Sequence, residues 1–544
     1  MAIRLFGSAG EFILPEGFSF EIEINHPFFS DSGCSSLPIS LPYCTENLRM
    51  MGWPNRMGRT SDCLDSYDVV LECGLFRKNG QLVLNSVSKD NGIQCSLAFS
   101  ESEMYAKFKS TKVKDLLQSK VSSISYADLY DIYISGNKPV VNEFAAFPVY
   151  VDEDEFNTYL LNEVTDGAFV TGPRFVHNDK GDTLSLPEGY GVTPFLYLSV
   201  FLQEIFERCG FTVKENCFTV DPWHQLVLVN NCADAMCIYN TVRWSDLVPD
   251  LTMGEIISWL KDRFAAIVIL DGRDIAIKFM DSIFKTPPIG DLSMQTMSDY
   301  NVSRPSPSRV AVSVNTSLSD AAPLFDIVED IPTHIVEYDS IEDVRNGYGY
   351  IPYCGAFVRA SGGEILERGS TAFKLFRNNA IDCEEHQAID EYLPLKDGKV
   401  GLLTYIGPRI HNHTSVDGFK EAGKQSLQIC WNSGSSLDSE KGYHIIKGGY
   451  KPALTPEGLR TWCWDYYNDL LLNKAPEISC RIQYPFNLLS AGSDRVLPYT
   501  LYGRKVIIKS VVLQISEEGT VYGNSTLLCY PEPISLTDSD TEYI

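Results

Sequence analysis

Two things are scarce in this chain of 544 residues: positive charge and long apolar runs. Lys and Arg number 45 against 71 Asp and Glu, a formal net charge of −26. Nucleic-acid affinity rests on cationic side chains that displace counterions. The balance therefore excludes a sequence-reading DNA binder, while it suits a passage along which DNA slides without sticking. The longest apolar run, FLYLSVFL at 195–202, falls far short of the roughly 20 residues that span a bilayer, so no stable membrane insertion is expected. MAIRLFGSAGEF at the start lacks the apolar centre of a secretory signal. Fifteen cysteines, an odd number scattered singly from Cys34 to Cys529, make no disulfide framework, and reduced thiols in a cytoplasm are the expectation.

Signatures of chemistry are also missing. There is no G-x-S-x-G elbow, no H-E-x-x-H, no P-loop and no G-x-G-x-x-G after a strand. Cys232 and Cys237 in NNCADAMC lack a second Cys/His pair at zinc spacing, and His411 and His413 in IHNHT have no carboxylate motif beside them. Glu384, Glu385 and His386 read as exposed loop charge, with an acid/base cluster as the alternative. Residues 152–155, DEDE, read as solvated loop, with a hard cation as the alternative. The Asn-x-Ser/Thr sites, such as Asn412-His413-Thr414, carry no weight without secretion. No catalytic residue, cofactor or metal site is assigned, although carboxylate pairs of the glycosidase kind follow no local spacing rule.

What is present is a folding pattern. Hydrophobic residues make up 44% and aromatics 12%, enough for three or four folded, β-leaning domains. Phe18, Phe20, Ile22 and Ile24 alternate with Ser19, Glu21 and Glu23, the pattern of a half-buried strand. In DVVLECGLFRKNGQLVLNSV, Asn79-Gly80 is the expected tight hairpin turn, and Asp90-Asn91-Gly92 leads into a third strand, IQCSLAFS. The segment SESEMYAKFKSTKVKDLLQS reads as helical. A barrel or sandwich fits residues 1 to about 150.

Between these strands lies SSLPISLPYCTENLRMMGWPNRMG. Proline removes a donor and extends its predecessor, so LPISLP is expected to run as an extended or edge segment. Thr45 is the expected cap of the short helix that follows, and Gly52 its end. The segment reads either as a crossover of the barrel or as an arm that docks on a neighbouring subunit.

The middle of the chain holds two helix-then-hairpin units. Thr193 and Pro194 are the expected start of one helix and Gly210 its end. Thr252 and Glu255 have capping-box spacing at the start of the other, and Asp271-Gly272 closes its hairpin. An offset of 55 residues sets Leu198 over Met253, Phe201 over Ile256, Leu202 over Ile257, Ile205 over Leu260 and Cys209 over Phe264, a shared apolar stripe that fits an internal duplication or a chance match. Residues 300–308, at SRPSPSR, and the Gly/Tyr/Lys-rich GYHIIKGGYKP mark candidate boundaries. TPEGLRTWCWDYYNDLLLN reads as a helix capped by Thr455 with Pro456 at its first position, followed by a C-terminal β-meander. GYGYIPY at 347–353 clusters three tyrosines, either a packed loop or a platform for sugar or protein.

The order FSFEIEINHPFFSDSGCSSLPISLPYCTENLRMMGWPNR, LFRKNGQLVLNSV, TPFLYLSVFLQEIFERCGF and VRWSDLVPDLTMGEIISWLKDRFAAIVILDGRDIAI resembles that of tail-tip or baseplate hub proteins of tailed bacteriophages, particularly of Bacteroides-type phages and prophages. The resemblance implies a homotrimer in which two barrel-like domains per chain form a pseudo-sixfold ring, joining a hexameric tail tube to a threefold tip. It also implies partners: a tail-tube or distal tail protein, tip, spike or fibre proteins, the tape-measure protein, and DNA in transit. The location implied is the virion, with synthesis in the bacterial host cytoplasm. The sequence departs from the pattern at Ala265, where related helices end in Gly, and in the long irregular stretch 318–450.

The expectation is thus an α+β, β-rich, multidomain chain with two β-barrel-like domains flanking a helix-plus-hairpin middle. The divisions expected are 1–150, a β-barrel-like domain; 151–300, the two helix-hairpin units; 301–450, a second barrel-like domain with an irregular insertion; and 451–544, a helix and β-meander. Leu37, Pro38, Leu41, Pro42, Trp53, Tyr348, Tyr350 and Tyr353 are the candidate subunit-contact residues. Two other functions compete: a surface glycan-binding or adhesion protein, resting on the aromatic clusters, and a cell-wall hydrolase, resting on dispersed carboxylates.

Overall fold

A computed structural model describes residues 3–30, 34–36, 38–56, 66–73, 76–99, 107–135, 142–147, 149–150, 160–165, 167–171, 174–177, 183–238, 241–297, 299–304, 475–484, 494–515 and 521–530, together with short segments between 310 and 470. The chain divides into two compact units, each discontinuous in sequence: Met1–Ser110, Ala265–Ser308 and Trp464–Ile544 make unit 1, and Thr111–Phe264 and Arg309–Cys463 make unit 2.

Unit 1 is built on one sheet of 13 strands. From the N-terminal part come β1 (Ile3–Gly7), β2 (Gly10–Phe12), β3 (Phe20–Asn25), β4 (Cys34–Ser36), β5 (Ile39–Leu41), β6 (Ser66–Cys73), β7 (Phe76–Ser88) and β8 (Gly92–Phe99). From the later parts come β9 (Asn301–Ser303), β10 (Glu477–Gln483), β11 (Tyr499–Leu501), β12 (Arg504–Ile515) and β13 (Val521–Cys529). Their order is β2-β1-β6-β7-β8-β4-β3-β12-β13-β10-β9, with β5 on β8 and β11 on β12. The junction between the two sets is β3 against β12, antiparallel from Phe20 opposite Ile515 to Asn25 opposite Ser510. Ile22 and Ile24 of β3 are buried, as their alternation requires. They share one apolar core with Leu41, Leu71, Leu82, Ile93, Leu513 and Leu527.

This order overturns the expected barrels. The pairing runs from β2 to β9 without returning, so the sheet stays open, and the N-terminal strands do not close on themselves because β3 takes a partner from the far end of the chain. Between 310 and 445 the described strands form further open groups of three and four, such as Ala356–Ser361 with Glu364–Gly369. What stands is an α+β, β-rich, multidomain fold with a helical and hairpin region in the middle of the chain.

Local expectations also fail, for physical reasons. Asn79-Gly80 makes no turn: Gly80 lies inside β7, opposite Val69 of β6 on one side and Phe99 of β8 on the other. A turn there would forfeit that two-sided pairing. Asp90-Asn91-Gly92 does turn the chain, and Gly92, at φ 75°, passes so near β5 that a Cβ would sit 2.6 Å from the Leu41 carbonyl oxygen. Only glycine fits both demands.

Unit 2 contains α2 (Val113–Leu117), α3 (Tyr126–Ile134), α4 (Leu198–Arg208) and α5 (Met253–Phe264), α1 being the unit 1 helix Thr45–Met50. Thr193 does not cap α4. It is buried, its N–H donating to Asn162 Oδ1 at 2.8 Å and its Oγ1 donating to Asn230 Oδ1 at 2.9 Å, while Phe195–Tyr197 forms a strand and Tyr197 stands at the helix start. The reason is competition: the hydroxyl proton and the backbone N–H and carbonyl of Thr193 are taken by the side chains of two buried asparagines, Asn230 and Asn162. Gly210 ends α4 at φ 89°, with Gly210 N–H on Glu207 O and Phe211 N–H on Phe206 O. Thr252 and Glu255 form the capping box of α5: Thr252 N–H donates to Glu255 Oε2 at 2.7 Å and Glu255 N–H to Thr252 Oγ1 at 3.2 Å. The stripe shared by the two helices is buried in both, at Leu198, Phe201, Leu202 and Ile205 and at Met253, Ile256, Ile257 and Leu260. In unit 1, the hairpin Ala266–Asp271 and Asp274–Phe279 turns at Gly272, φ 64°.

Candidate subunit-contact surface

The candidate contact segment begins with Leu37, outside the described residues, and Pro38, which is exposed. The next three residues are β5, paired with β8 as Ile39 opposite Cys95, Ser40 opposite Gln94 and Leu41 opposite Ile93. The Leu41 side chain is fully buried in the core of unit 1. It therefore serves the fold of its own chain. Pro42 is half-buried and its carbonyl receives Cys44 N–H at 2.9 Å and Asn47 Nδ2 at 3.1 Å.

The helix α1 starts at Thr45 with Cys44 in the cap position and no side-chain cap bond, so Thr45 is the first helical residue and not the cap. Its anchor is Asn47, wholly buried: Oδ1 receives Ile13 N–H at 2.8 Å and Nδ2 donates to Ile13 O at 2.9 Å. Gly52 ends the helix at φ 64°, with Gly52 N–H on Arg49 O and Trp53 N–H on Leu48 O, the two bonds of a Schellman end. Trp53, also left-handed at φ 68°, packs half-buried against the core and carries the Arg56 guanidinium 4.5 Å over its ring. The stretch is a strap on its own sheet, held by a strand, a buried amide and a helix end.

Of the tyrosine cluster, Tyr348 and Tyr350 lie outside the described residues. Tyr353 lies in the strand Pro352–Tyr353, opposite Ala356. The acidic stretch 152–155, Glu384, Glu385, His386, His411 and His413 likewise fall outside. Cys232 is buried and its thiol donates to Asp234 Oδ1 at 3.3 Å, while Asn412 N–H donates to both oxygens of Asp234 at 3.0 and 2.9 Å. Burial, with Asp234 adding to it, pushes the Cys232 thiol far up. The same causes push Cys237 up to about 12. Thiols so reluctant to ionise are poor nucleophiles and poor metal ligands; this is a packed polar core. Among the described residues no group of three or more His, Cys, Asp and Glu is placed to hold a metal ion.

An apolar surface that the sequence reading missed lies at the other end of the sheet. Met294 is 92% exposed, and Met297, Tyr300 and Tyr502 are each more than half exposed, with the rings of Tyr300 and Tyr502 5.6 Å apart. Met and Tyr are among the residue types enriched at contact surfaces. The signal was readable as MQTMSDYNV, whose apolar residues follow neither a helical nor a strand period.

No protein-family model and no curated protein matches the chain. Among solved structures it is similar to the 43 kDa tail protein of prophage MuSo2 from Shewanella oneidensis, at 8% identity and a TM-score of 0.34, covering 97% of this chain and 98% of that one. It is similar also to prophage tail protein gp18 from Listeria monocytogenes, at 10% identity and a TM-score of 0.31, covering 98% and 96%. A tail protein from Neisseria meningitidis follows at 8% identity and a TM-score of 0.27, covering 97% and 96%. Likenesses at such scores and identities carry no argument about what this chain does.

Proposed function

We propose that the chain is a structural component of a phage tail, a hub at the tail tip that assembles as a homotrimer, joins the tail tube to the tip and lines part of the DNA conduit. The observation that carries this reading is the resemblance in element order over residues 18–110 and 190–280, in a chain whose distinctive stretch 38–56 is occupied by fold-holding bonds and not by reacting groups. The charge of −26 supports it, because a wall that passes DNA must not retain it. The function of such a protein resides in its surfaces, and the exposed Met and Tyr side chains of unit 1 are of the kind that meet a neighbour.

The test is composition. Particles purified from a lysate of the host are digested and quantified by mass spectrometry against the major tail-tube protein. The reading predicts the chain in intact particles at about three copies each, following one trimer per tail. Its absence from particles, or clearing of peptidoglycan by the isolated chain in a zymogram, would overturn it.

A further inference from the structure

The sheet of unit 1 has two edges, and they are treated differently. Beside β2, the backbone of Ile13 is occupied at both its N–H and its carbonyl by Asn47. At the far end β9 pairs with β10, Asn301 opposite Ser479 to Ser303 opposite Glu477, and no described strand pairs with its outer side. Proteins shield open edges with charge, bulges or a covering element because an unpaired row of N–H and C=O groups is a template for another strand. Here every residue from Asp299 to Arg304 is exposed, with Val302 43% exposed at its centre. Met294, Met297 and Tyr300, all more than half exposed, precede β9 in sequence, and the Tyr502 ring, from the turn between β11 and β12, lies 5.6 Å from that of Tyr300.

We propose that β9 is a docking edge for β9 of a second copy of this chain, antiparallel about a twofold axis that passes at Val302. Symmetry fixes the register. Two identical antiparallel strands related by an axis perpendicular to their sheet must set one residue opposite itself, and the register that pairs all three residues of β9 sets Val302 opposite Val302. Asn301 then faces Ser303 of the second copy, and Tyr300 faces Arg304 of the second copy. Each pair is of a kind that stabilises sheets: β-branched on β-branched, amide on hydroxyl, aromatic on cation. The strip Asp299–Arg304 carries one acid and one base, so it is neutral in a chain of net charge −26. That makes it a place where two copies meet without opposing like charges.

This inference is independent of the phage-tail reading. A twofold contact closes no ring of three, so it adds a second surface, used by free chains and not within the particle: in solution the assembly is a dimer if β9 acts alone and a hexamer if a trimer forms as well. The experiment uses the full chain in sedimentation equilibrium over a range of concentrations. Wild type is expected to show even-numbered species. Val302→Lys and Val302→Asp each place like charges opposite one another on the axis and weaken the association about tenfold or more. Mixed in equal amounts, the two variants set Lys against Asp and regain it. Arg304→Ala, outside β9, weakens it by a smaller factor, and unchanged thermal transitions show that the variants fold. The proposal is overturned by a wild type lacking even-numbered species, by single variants that associate like wild type, or by a mixture that stays apart.

Discussion

His26 shows how a single buried group links this fold to pH. It is fully buried after β3, where its Nδ1 receives Phe28 N–H at 3.1 Å and its Nε2 lies 3.4 Å from the Val496 carbonyl. Burial lowers its pKa from 6.5 to about 3, with the Val496 carbonyl pulling weakly the other way and Arg495 adding to the fall. The folded chain therefore refuses a proton that the unfolded chain accepts below about 6.5, and stability falls as pH drops through that window. Between pH 7 and pH 5 the loss assignable to His26 is about 2 kcal/mol. His26→Gln is expected to be less stable than wild type at pH 7 but to lose less on going to pH 5, as read by chemical denaturation at both values. Equal slopes for the two proteins would contradict the assignment. Residue-level legibility was uneven. Gly52, Gly210 and Gly272 were readable because positive φ has a strong residue signature. Ala265 adopts φ 48° without being glycine, so nothing in its residue type announces the conformation.

At the scale of elements, α1 and its strap show why local reading went part of the way. The Leu-Pro rhythm correctly implied an extended segment, and β5 is one. Its alternation Ile39, Ser40, Leu41 places two side chains in the core, with Ser40 exposed. The partner that anchors α1 was not readable, because Asn47 bonds to Ile13 across 34 residues and nothing in TENLRM announces it. Asn47→Ala removes those bonds and the one to Pro42, leaving an edge amide and carbonyl unpaired. It is expected to cost about 2–3 kcal/mol in calorimetry of the full chain, and a loss near zero would mean that α1 is held by packing alone. Asn79-Gly80 and Thr193 misled for a related reason: each has the local chemistry of a turn or cap, and each is claimed by distant partners that bind it more completely.

For the whole molecule, the strands were legible and their closure was not. The four C-terminal strands and the N-terminal meander each follow from alternation and turns, yet the pairing of β3 with β12 joins residues nearly the full chain apart. Alternation states which side chains face inward; it does not name the neighbour. A barrel was the economical closure for an isolated N-terminal meander, and the open sheet of 13 strands arises because both ends of the chain supply it. The most direct test of that account is imaging of intact particles by electron cryo-microscopy. The account predicts density at the distal end of the tail into which three copies of the unit 1 sheet can be placed around the conduit. A tail tip built entirely from other chains would contradict it.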